Sequence, residues 1–556
     1  MSIQYSHPFS VQQAYVVPTR STSLPLTLLR SPAVLLTTHR KALDDANRAE
    51  GLEQAPLPET SSEALLERLS EVEDALEGYN LVSSDSSQLA YLSRNITEEH
   101  TLGADAVPRV ERLLASISHL LAIPAACRLE KEDLEPSMIL ERERFLHHSP
   151  ALLTLALSLV LLIPLPPTST RKPTLETLES RSKLVLCFAR FTDDELSPSF
   201  CATTAPNVAI QITERLFGIS NRHALISHIL SKSFPPLFKP HPKLNPATGR
   251  VLSKPKGGDR GLMDWYEEGE DLGWRDEMGM ANVVRVVIGA LKLEEVEDIW
   301  PMILPPLLAF LDDYQPLNKL HGTSILCTLL PLVSASLLRR TGVGKVFTQS
   351  LSASLSALSS PHTPPLLLQS TRVSLNLLNL LHPPLPATSA SSLARFNALC
   401  TLLTNSTITP WSFHSGQIPL EISIVTFLPL LINELGTGTI RYLQILVPHL
   451  SGLVGDTSVG EGTWELVGKA CEVLELVLRI AKSVGRGGRW KGVVGAAVGK
   501  CWARLGEMEQ SEERKNLERC LRTVLEAIDD GGEVGKRLAK VGKAFEGLVS
   551  VGLEVQ

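Results

Sequence analysis

Apolar residues recur every three or four positions along most of this chain, with polar residues between them. That spacing places the apolar side chains on one face of an α-helix, and no segment sustains the strict alternation of a half-buried strand. We therefore predict an all-α fold with no sheet. The predicted helices include residues 64–79, 107–122, 131–147, 150–163, 174–191, 206–217, 222–233, 364–381, 463–482, 512–528 and 534–549.

Residues 300–330 predict two further helices joined by a tight turn. Carboxylates at Asp312 and Asp313 can accept backbone hydrogen bonds in that turn, and Pro316 fixes the backbone where the second helix begins. Proline costs least in the first turn of a helix, so we expect the three prolines of the first helix near its start. They are Pro301, Pro305 and Pro306.

The second of these helices carries the order K-x-x-G-x-x-I-L from Lys319 to Leu326. This order follows the second-helix pattern of a HEAT repeat, in which a small residue lets two helices approach closely. We expect Gly322 to be that contact and Lys319 to reach carboxylate or carbonyl groups in the turn. The stretch therefore predicts one unit of a HEAT-like α-solenoid, in which each repeat packs on its neighbours.

Residues 235–279 interrupt the helices with proline, glycine and charge, first basic and then acidic. One interpretation is a long loop between repeats. The other is a segment whose aromatic residues, Trp265, Tyr266 and Trp274, dock on a neighbouring surface. The sequence leaves both open.

From Tyr314 to Leu420 the chain contains no Asp or Glu, and the helix at 364–381 has only a narrow polar stripe. Other protein surfaces must cover such a helix on most of its faces. Either neighbouring repeats cover it or a partner protein does. The candidate partner surface comprises Gln369, Arg372, Asn376, Asn379, Trp411 and, from the loop, Trp274.

Residues 476–505 carry seven Lys or Arg and no acid. The sequence GRGGRWKG within them resembles an RGG segment for single-stranded nucleic acid, with Trp490 available for stacking. A basic loop between helices explains the same residues. If a partner binds here, we expect an acidic protein surface rather than nucleic acid.

Composition adds limits rather than a function. The 556 residues have a net charge of −7 and a pI near 6.1, so no general positive field attracts nucleic acid. None of the eight cysteines forms a C-x-x-C pair, which favours reduced thiols in an intracellular protein.

Targeting signals are weak. Residues 1–43 lack acids and contain four basic residues, but four prolines interrupt any amphipathic helix, so we do not expect mitochondrial import. The apolar run at 151–163 is shorter than the ~20 residues that a membrane span needs. We expect it to be a buried helix.

No motif predicts catalysis, a metal or a cofactor. The G-V-G-K sequence ending at Lys345 has Arg339 where a phosphate loop needs glycine, and Val346 where it needs Ser or Thr. Turn formation accounts for Asp312 and Asp313, and a helix end accounts for the His147-His148 pair. We therefore expect a protein that is not an enzyme.

Two blocks carry a family resemblance. The first block is W-P-x-x-L-P-P-L-L followed by L-D-D-x-x-P-x-x-K-x-x-G-x-x-I-L, and the second is an L-P-L-L helix, an L-G-x-G-T turn and an R-Y-L helix that ends near Pro448. Both blocks resemble the Tel-two-interacting protein two family. The resemblance covers about residues 283–454, and Trp274-Arg275 is similar to a Trp-basic pair of the family loop. The motif residues, expected to be structural, are Trp300, Leu311, Asp312, Asp313, Pro316, Lys319, Gly322, Gly436, Gly438, Arg441 and Tyr442.

The resemblance implies a non-catalytic scaffold subunit of the TTT complex, with Tel-two and Tel-two-interacting protein one as partners. That complex works with the ninety-kilodalton heat-shock chaperone and its adaptors, and it stabilises phosphatidylinositol-kinase-related kinases. It implies a cytoplasmic and nuclear location, with no nucleic acid and no membrane among the partners. The alternatives are a HEAT-repeat adaptor of another class, such as a transport receptor or phosphatase scaffold, and an enzyme with an unrecognised site.

The predicted domain organisation follows the changes in composition along the chain. It comprises a flexible tail at 1–58, helices at 59–234, the loop at 235–279, a HEAT core at 280–460 and C-terminal helices at 461–556 that continue the solenoid.

Overall fold

Helices occupy more than half of the chain, and the part that the computed structural model describes contains no strand. Its one β-type contact is an isolated bridge between Leu244 and Val251. The all-α prediction is confirmed. The described residues are 62–77, 79, 86–96, 106–129, 134–165, 174–193, 195–196, 199–256, 273–384, 390–414, 416–455, 463–506, 511–528, 533–541 and 548.

Twenty-two α-helices can be numbered along these residues. The first seven are α1 Ser62–Glu77, α2 Ser86–Asn95, α3 Val107–Leu120, α4 Pro136–Leu162, α5 Leu175–Phe188, α6 Ala205–Gly218 and α7 Arg222–His228. The next eight are α8 Gly273–Asp276, α9 Met280–Gly289, α10 Val296–Leu311, α11 Pro316–Leu329, α12 Ala335–Thr341, α13 Val343–Leu355, α14 Thr363–Leu381 and α15 Ala390–Leu403. The last seven are α16 Thr409–His414, α17 Ile418–Leu435, α18 Leu443–Gly455, α19 Thr463–Ser483, α20 Lys491–Leu505, α21 Glu512–Ile528 and α22 Glu533–Val541.

The helices contact one another in two series that alternate along the chain. In one series α2 packs on α4 and α4 on α6, and further along α9, α11, α14, α17, α19 and α21 pack each on the next. In the other, α1 packs on α3, α3 on α5 and α5 on α7, and later α10 packs on α13 and α18 on α20. Helices adjacent along the chain, such as α10 and α11, also pack on each other and so join the two series, and both bury apolar side chains.

Several predicted boundaries were wrong, and proline is the common reason. Pro150 lies inside α4, so the helices predicted at 131–147 and 150–163 are one helix. The pair His147-His148 therefore lies in mid-helix rather than at an end. Pro301, Pro305 and Pro306 lie in the interior of α10, which begins at Val296 with Glu297 and Asp298 in its first turn. Proline removes one N–H but leaves φ compatible with a helix, so burial of the apolar face outweighs the local cost.

The same effect recurs in the second motif block. Pro448 does not end its helix, which continues to Gly455. Between α17 and α18 the chain forms a 3₁₀ segment, Gly436–Tyr442, rather than an open turn.

Within the part of the chain that the structure describes, two helical segments are long and apolar enough to cross a membrane by length and composition, Pro136–Leu162 and Ile418–Gly455, and a bent pair from Pro316 to Thr341 would make a third. The buried shares of the two apolar windows are 61% and 56%. The first segment exceeds the length expected for 151–163, because the helix extends through Pro150. In this structure it packs against α2, α3 and α6.

All described helices belong to one compact unit, Thr60–Gln556. The predicted tail at 1–58 lies outside the described residues. So do Trp265 and Tyr266 of the predicted loop.

Candidate functional site

The turn between α10 and α11 is held by the side chain of Asp313, which is buried. Its Oδ1 accepts from the Gln315 backbone N–H at 2.8 Å and from the Asn318 side-chain amide at 3.3 Å. Its Oδ2 accepts from the guanidinium of Arg275. Asp313 is thus not the N-cap of α11, which is Gln315 without a side-chain cap. Asp313 instead closes the turn that precedes α11, and it also binds Arg275 of the loop.

Trp274 brings the loop onto the same turn. Its ring stacks on Phe238 at a centroid distance of 6.2 Å and meets Phe310 edge-on at 4.4 Å. The neighbouring Arg275 guanidinium lies 5.1 Å from the centroid of the Tyr314 ring. Trp274 is only 3% exposed. Its assignment to the partner surface is therefore wrong, because its partners lie within this chain.

His241 contributes a second polar contact to the turn. Its side chain is fully buried, and Nε2 lies 3.3 Å from Oδ2 of Asp312. Nδ1 accepts the backbone N–H of Lys243 at 3.2 Å, which fixes the ring beside the turn. We name the set Phe238, His241, Trp274, Arg275, Phe310, Asp312 and Asp313 the turn clamp.

Residues 274–279 also reach the N-terminal helices. The Arg128 guanidinium donates to the Asp276 carbonyl at 2.5 Å, and Arg190 forms an ion pair with Glu277. Gly279 has φ +74°, and a Cβ there would lie 2.8 Å from the Cβ of Arg190. Only glycine satisfies both conditions. This short segment therefore joins residues from four distant parts of the chain.

Two motif residues set the spacing around the clamp. A Cβ at Gly322 would lie 2.6 Å from the Cα of Leu311, so α11 can approach α10 only with glycine there. Trp300 is 1% exposed, and a Cβ at Gly249 would come within 2.7 Å of its ring. The indole thus fills the space beneath the hairpin-like turn at 245–250.

Lys319 is buried beside the two turn carboxylates. Burial lowers the pKa of its ammonium group, and the negative charges of Asp312 and Asp313 oppose that shift. The position agrees with the expected reach of Lys319 toward the turn.

The second motif block is held by close packing. Gly436 ends α17 with φ +52°, and a Cβ at Gly438 would lie 3.3 Å from Cζ of Phe396. Arg441 places its guanidinium 5.6 Å from the centroid of the same ring. Burial raises the pKa of Tyr442, and a hydrogen bond with Cys400 adds to the shift. These residues hold α15 against the segment between α17 and α18.

Trp411 is the second wrong assignment to the partner surface. It is 6% exposed, and its Nε1 donates to Oε2 of the buried Glu421 at 2.7 Å. The His449 ring stacks on it with centroids 3.9 Å apart. The buried Glu421 carboxylate therefore has two polar neighbours, Nε1 of Trp411 and, at 3.4 Å, Nε2 of His449. The sequence pattern did not single out Glu421.

The polar stripe of α14 is less open than its composition suggests. Asn376 is exposed, whereas Gln369, Arg372 and Asn379 are half-buried. Oδ1 of Asn379 is buried and has no hydrogen-bond partner among the described residues. Neighbouring helices therefore cover much of this stripe.

Two exposed apolar side chains in the same region were missed by sequence reasoning. Leu393 in α15 is 62% exposed, and Phe413 in α16 is 74% exposed. The sequence pattern cannot distinguish an exposed Phe from a buried one in a helix, because both occur at the same helical spacing.

The chemistry of the described residues is that of a packed core. Burial raises the pKa of Cys127 to about 11 and that of Cys187 to about 12, which keeps both as inert thiols. No group of three or more His, Cys, Asp or Glu with metal-binding geometry occurs among these residues. The G-V-G-K glycines have packing roles: Gly342 links α12 to α13 at φ +75°, and Gly344 faces Leu381.

These features define an all-helical protein whose motif residues hold its own turns and loops. Residues 184–459, about half of the chain, match the family model described as the Tti2 family. The chain belongs to the Tti2 family, as its two motif blocks suggested. No curated protein and no solved structure matches the chain.

Proposed function

We propose that this protein is a non-catalytic scaffold subunit of the TTT complex, bound to Tel-two-interacting protein one and Tel-two. The observation that carries the proposal is the Tti2 family match over residues 184–459. In this role the protein acts with the ninety-kilodalton heat-shock chaperone and its adaptors, in the cytoplasm and nucleus. Its contribution is the maturation and stability of phosphatidylinositol-kinase-related kinases.

The architecture proposed for this role is a HEAT-like α-solenoid. Two series of helices alternate along the chain, and within each series there are runs of helices that pack each on the next. Such nearest-neighbour packing is typical of solenoids, which present long surfaces for binding.

The turn clamp supports this role by fixing the described ends of the segment at 235–279 to the scaffold. It ties residues 238–241 and 274–275 to the turn between α10 and α11, next to the closest helix approach at Gly322. A surface that must match a partner loses affinity when its own elements have to be ordered on binding. The clamp removes that cost for this part of the protein.

The partner surface is proposed to lie within residues 363–413. Its anchors are Asn376, Leu393 and Phe413, of which the two apolar side chains are largely exposed. No carboxylate occurs anywhere in these residues. Large apolar side chains surrounded by uncharged polar ones are the composition of an interface core.

Affinity purification from the native cell tests the assignment. Recovery of Tel-two and Tel-two-interacting protein one, with loss of the large kinases on depletion, is the expected result. Recovery of a phosphatase subunit or of transport cargo, without either of those partners, would instead place the protein in another class of HEAT adaptor. Purified protein that hydrolyses ATP or contains bound metal would contradict the non-catalytic role.

A further inference from the structure

A basic, glycine-rich surface lies at the start of α20, outside the residues that match the family. It follows α19 and passes through the 3₁₀ segment Gly487–Trp490. Arg486 and Arg489 are both exposed, and residues 476–505 contain no acid. The preceding carboxylate, Glu475, is already paired with Arg479 at 2.6 Å. We name Val484, Arg486, Gly488, Arg489, Gly492 and Val493 the α20 patch.

The glycines of this patch have no internal explanation. A Cβ at Gly488 or at Gly492 would meet nothing within 4 Å, and neither backbone has a positive φ. Glycine weakens a helix relative to alanine, so local stability does not favour Gly492 in the first turn of α20 or Gly488 in the preceding 3₁₀ segment. An exposed glycine also lets another backbone approach closely, because no side chain stands in the way.

The electrostatics of the patch favour a negatively charged occupant. The N-terminal end of α20 has a partial positive charge, and its first turn has no acidic residue and no side-chain cap. The two exposed arginines add full charges beside it. Val484 and Val493, 39% and 46% exposed, add an apolar component.

Nucleic acid fits this surface poorly. Binding of single strands without sequence preference relies on aromatic rings that stack on bases. Trp490, the ring that the sequence offered for stacking, is only 8% exposed. The Arg489 guanidinium also lies 5.5 Å from the centroid of that ring. Because the indole is buried within the protein, it is not available to stack on a base.

From charge, apolar exposure and the unexplained glycines together, we propose that the α20 patch is a docking site for an acidic peptide segment with aliphatic side chains. The carboxylates of the segment pair with Arg486 and Arg489, and its backbone lies against Gly488 and Gly492. Its aliphatic side chains contact Val484 and Val493.

Fluorescence anisotropy with the full-length protein tests the site. The probe is a short fluorescein-labelled peptide of Asp, Glu and Leu, compared with a peptide in which Lys replaces every acid and with oligouridylate of equal charge. We expect the acidic peptide to bind more tightly than either, with an affinity that falls as salt rises. The double variant Arg486→Glu, Arg489→Glu should weaken binding by about tenfold or more.

The glycine variants separate docking from folding. Gly488→Ala with Gly492→Ala should keep or raise the melting temperature, because alanine favours the helix, yet weaken the peptide by about threefold or more. Gly452→Ala is the matched control, since a Cβ there also meets nothing within 4 Å but the residue lies in α18. Lys345→Glu controls for charge reversal at an exposed site away from the patch.

Three results would overturn the proposal. The first is acidic-peptide binding that neither patch variant changes, and the second is no measurable binding of the acidic peptide. The third is oligouridylate binding that exceeds peptide binding and is lost in the arginine variant, which would make the patch a nucleic-acid site. None of these outcomes depends on the partners of the TTT complex.

Discussion

The Asp313 carboxylate accepts hydrogen bonds from the Arg275 guanidinium and from the Gln315 backbone, so one side chain joins the loop to the turn. The Asp313 side chain is 1% exposed and that of Arg275 is 19% exposed. Breaking a shielded ion pair leaves a charge without its partner, whereas breaking an exposed pair costs little.

Asp313→Ala should therefore lower the free energy of unfolding by about 2–3 kcal/mol, more than a lost helix cap alone. Urea unfolding followed by circular dichroism measures this. Arg340→Ala is the control, because the Arg340–Glu297 pair is half exposed at both ends and should be worth about 0–1 kcal/mol. Equal effects in the two variants would show that the clamp does not stabilise the fold.

Gly322→Ala should destabilise the protein by about 3 kcal/mol, the upper end for overpacking, because the new Cβ meets backbone atoms of α10 that cannot move aside alone. Thermal unfolding of this variant and of Gly452→Ala gives the comparison. The second variant adds the same methyl group in open space and should be neutral or slightly stabilising. A neutral Gly322→Ala would mean that α10 and α11 separate without cost.

The sequence predicted the helices well because the burial of an apolar face outweighs the helix propensities of single residues. It placed Asp313, Gly322 and Lys319 at one turn, since those residues are close along the chain. It failed at prolines, where packing that the local pattern does not contain outweighs the missing N–H. The helix through Pro150 is the plainest case.

Contacts between distant segments were the other failure. Trp274 and Trp411 looked available to a partner because nothing near them in sequence covers them. Their actual neighbours include Phe310 and His449, which only the packing of α8, α10, α16 and α18 brings near. The sequence also could not predict the Arg190–Glu277 ion pair, because 87 residues separate the two side chains along the chain.

His321 should make stability depend on pH. Burial lowers the pKa of its imidazole to about 4, against the influence of Asp193 and together with that of Arg285 and His362. The unfolded chain, with a pKa near 6.5, then binds the proton more readily than the folded protein. Stability from this group is complete above about pH 6.5 and is lost as the pH falls toward 4, by up to about 3 kcal/mol.

Urea unfolding at pH 7 and pH 5 checks this, with His321→Gln as the comparison. The variant should lose less stability than the wild type over that interval. An identical pH dependence in both proteins would show that other groups account for it.

The cysteines should be protected from alkylation in the native state. Burial raises the pKa of Cys187 to about 12 and that of Cys471 well above its ordinary value, so little thiolate forms at neutral pH. Iodoacetamide at pH 8, followed by peptide mass mapping, should label both slowly in the folded protein and quickly in urea. Fast labelling of the folded protein would indicate that α5 or α19 opens on the timescale of the reaction.

The partner surface gives the prediction with the most functional weight. Asn376→Glu with Phe413→Ala should leave the melting temperature unchanged, because both side chains are exposed. Gln369 is kept, since it is half-buried and hydrogen-bonds Cys327. If residues 363–413 contact the large partner, the variant should weaken that complex by about 1–2 kcal/mol, through loss of an aromatic anchor and entry of a charge.

Leu175→Ala is the matched control for this variant, because Leu175 is 69% exposed and lies in α5, outside the proposed surface. Co-purification with Tel-two-interacting protein one, measured by titration of the purified chains, should then fall for the double variant alone. A folded double variant that binds as tightly as the wild type would exclude Asn376 and Phe413 as anchors. Burial by neighbouring helices would then explain why this region lacks acids, and the half-buried polar stripe of α14 is consistent with that explanation.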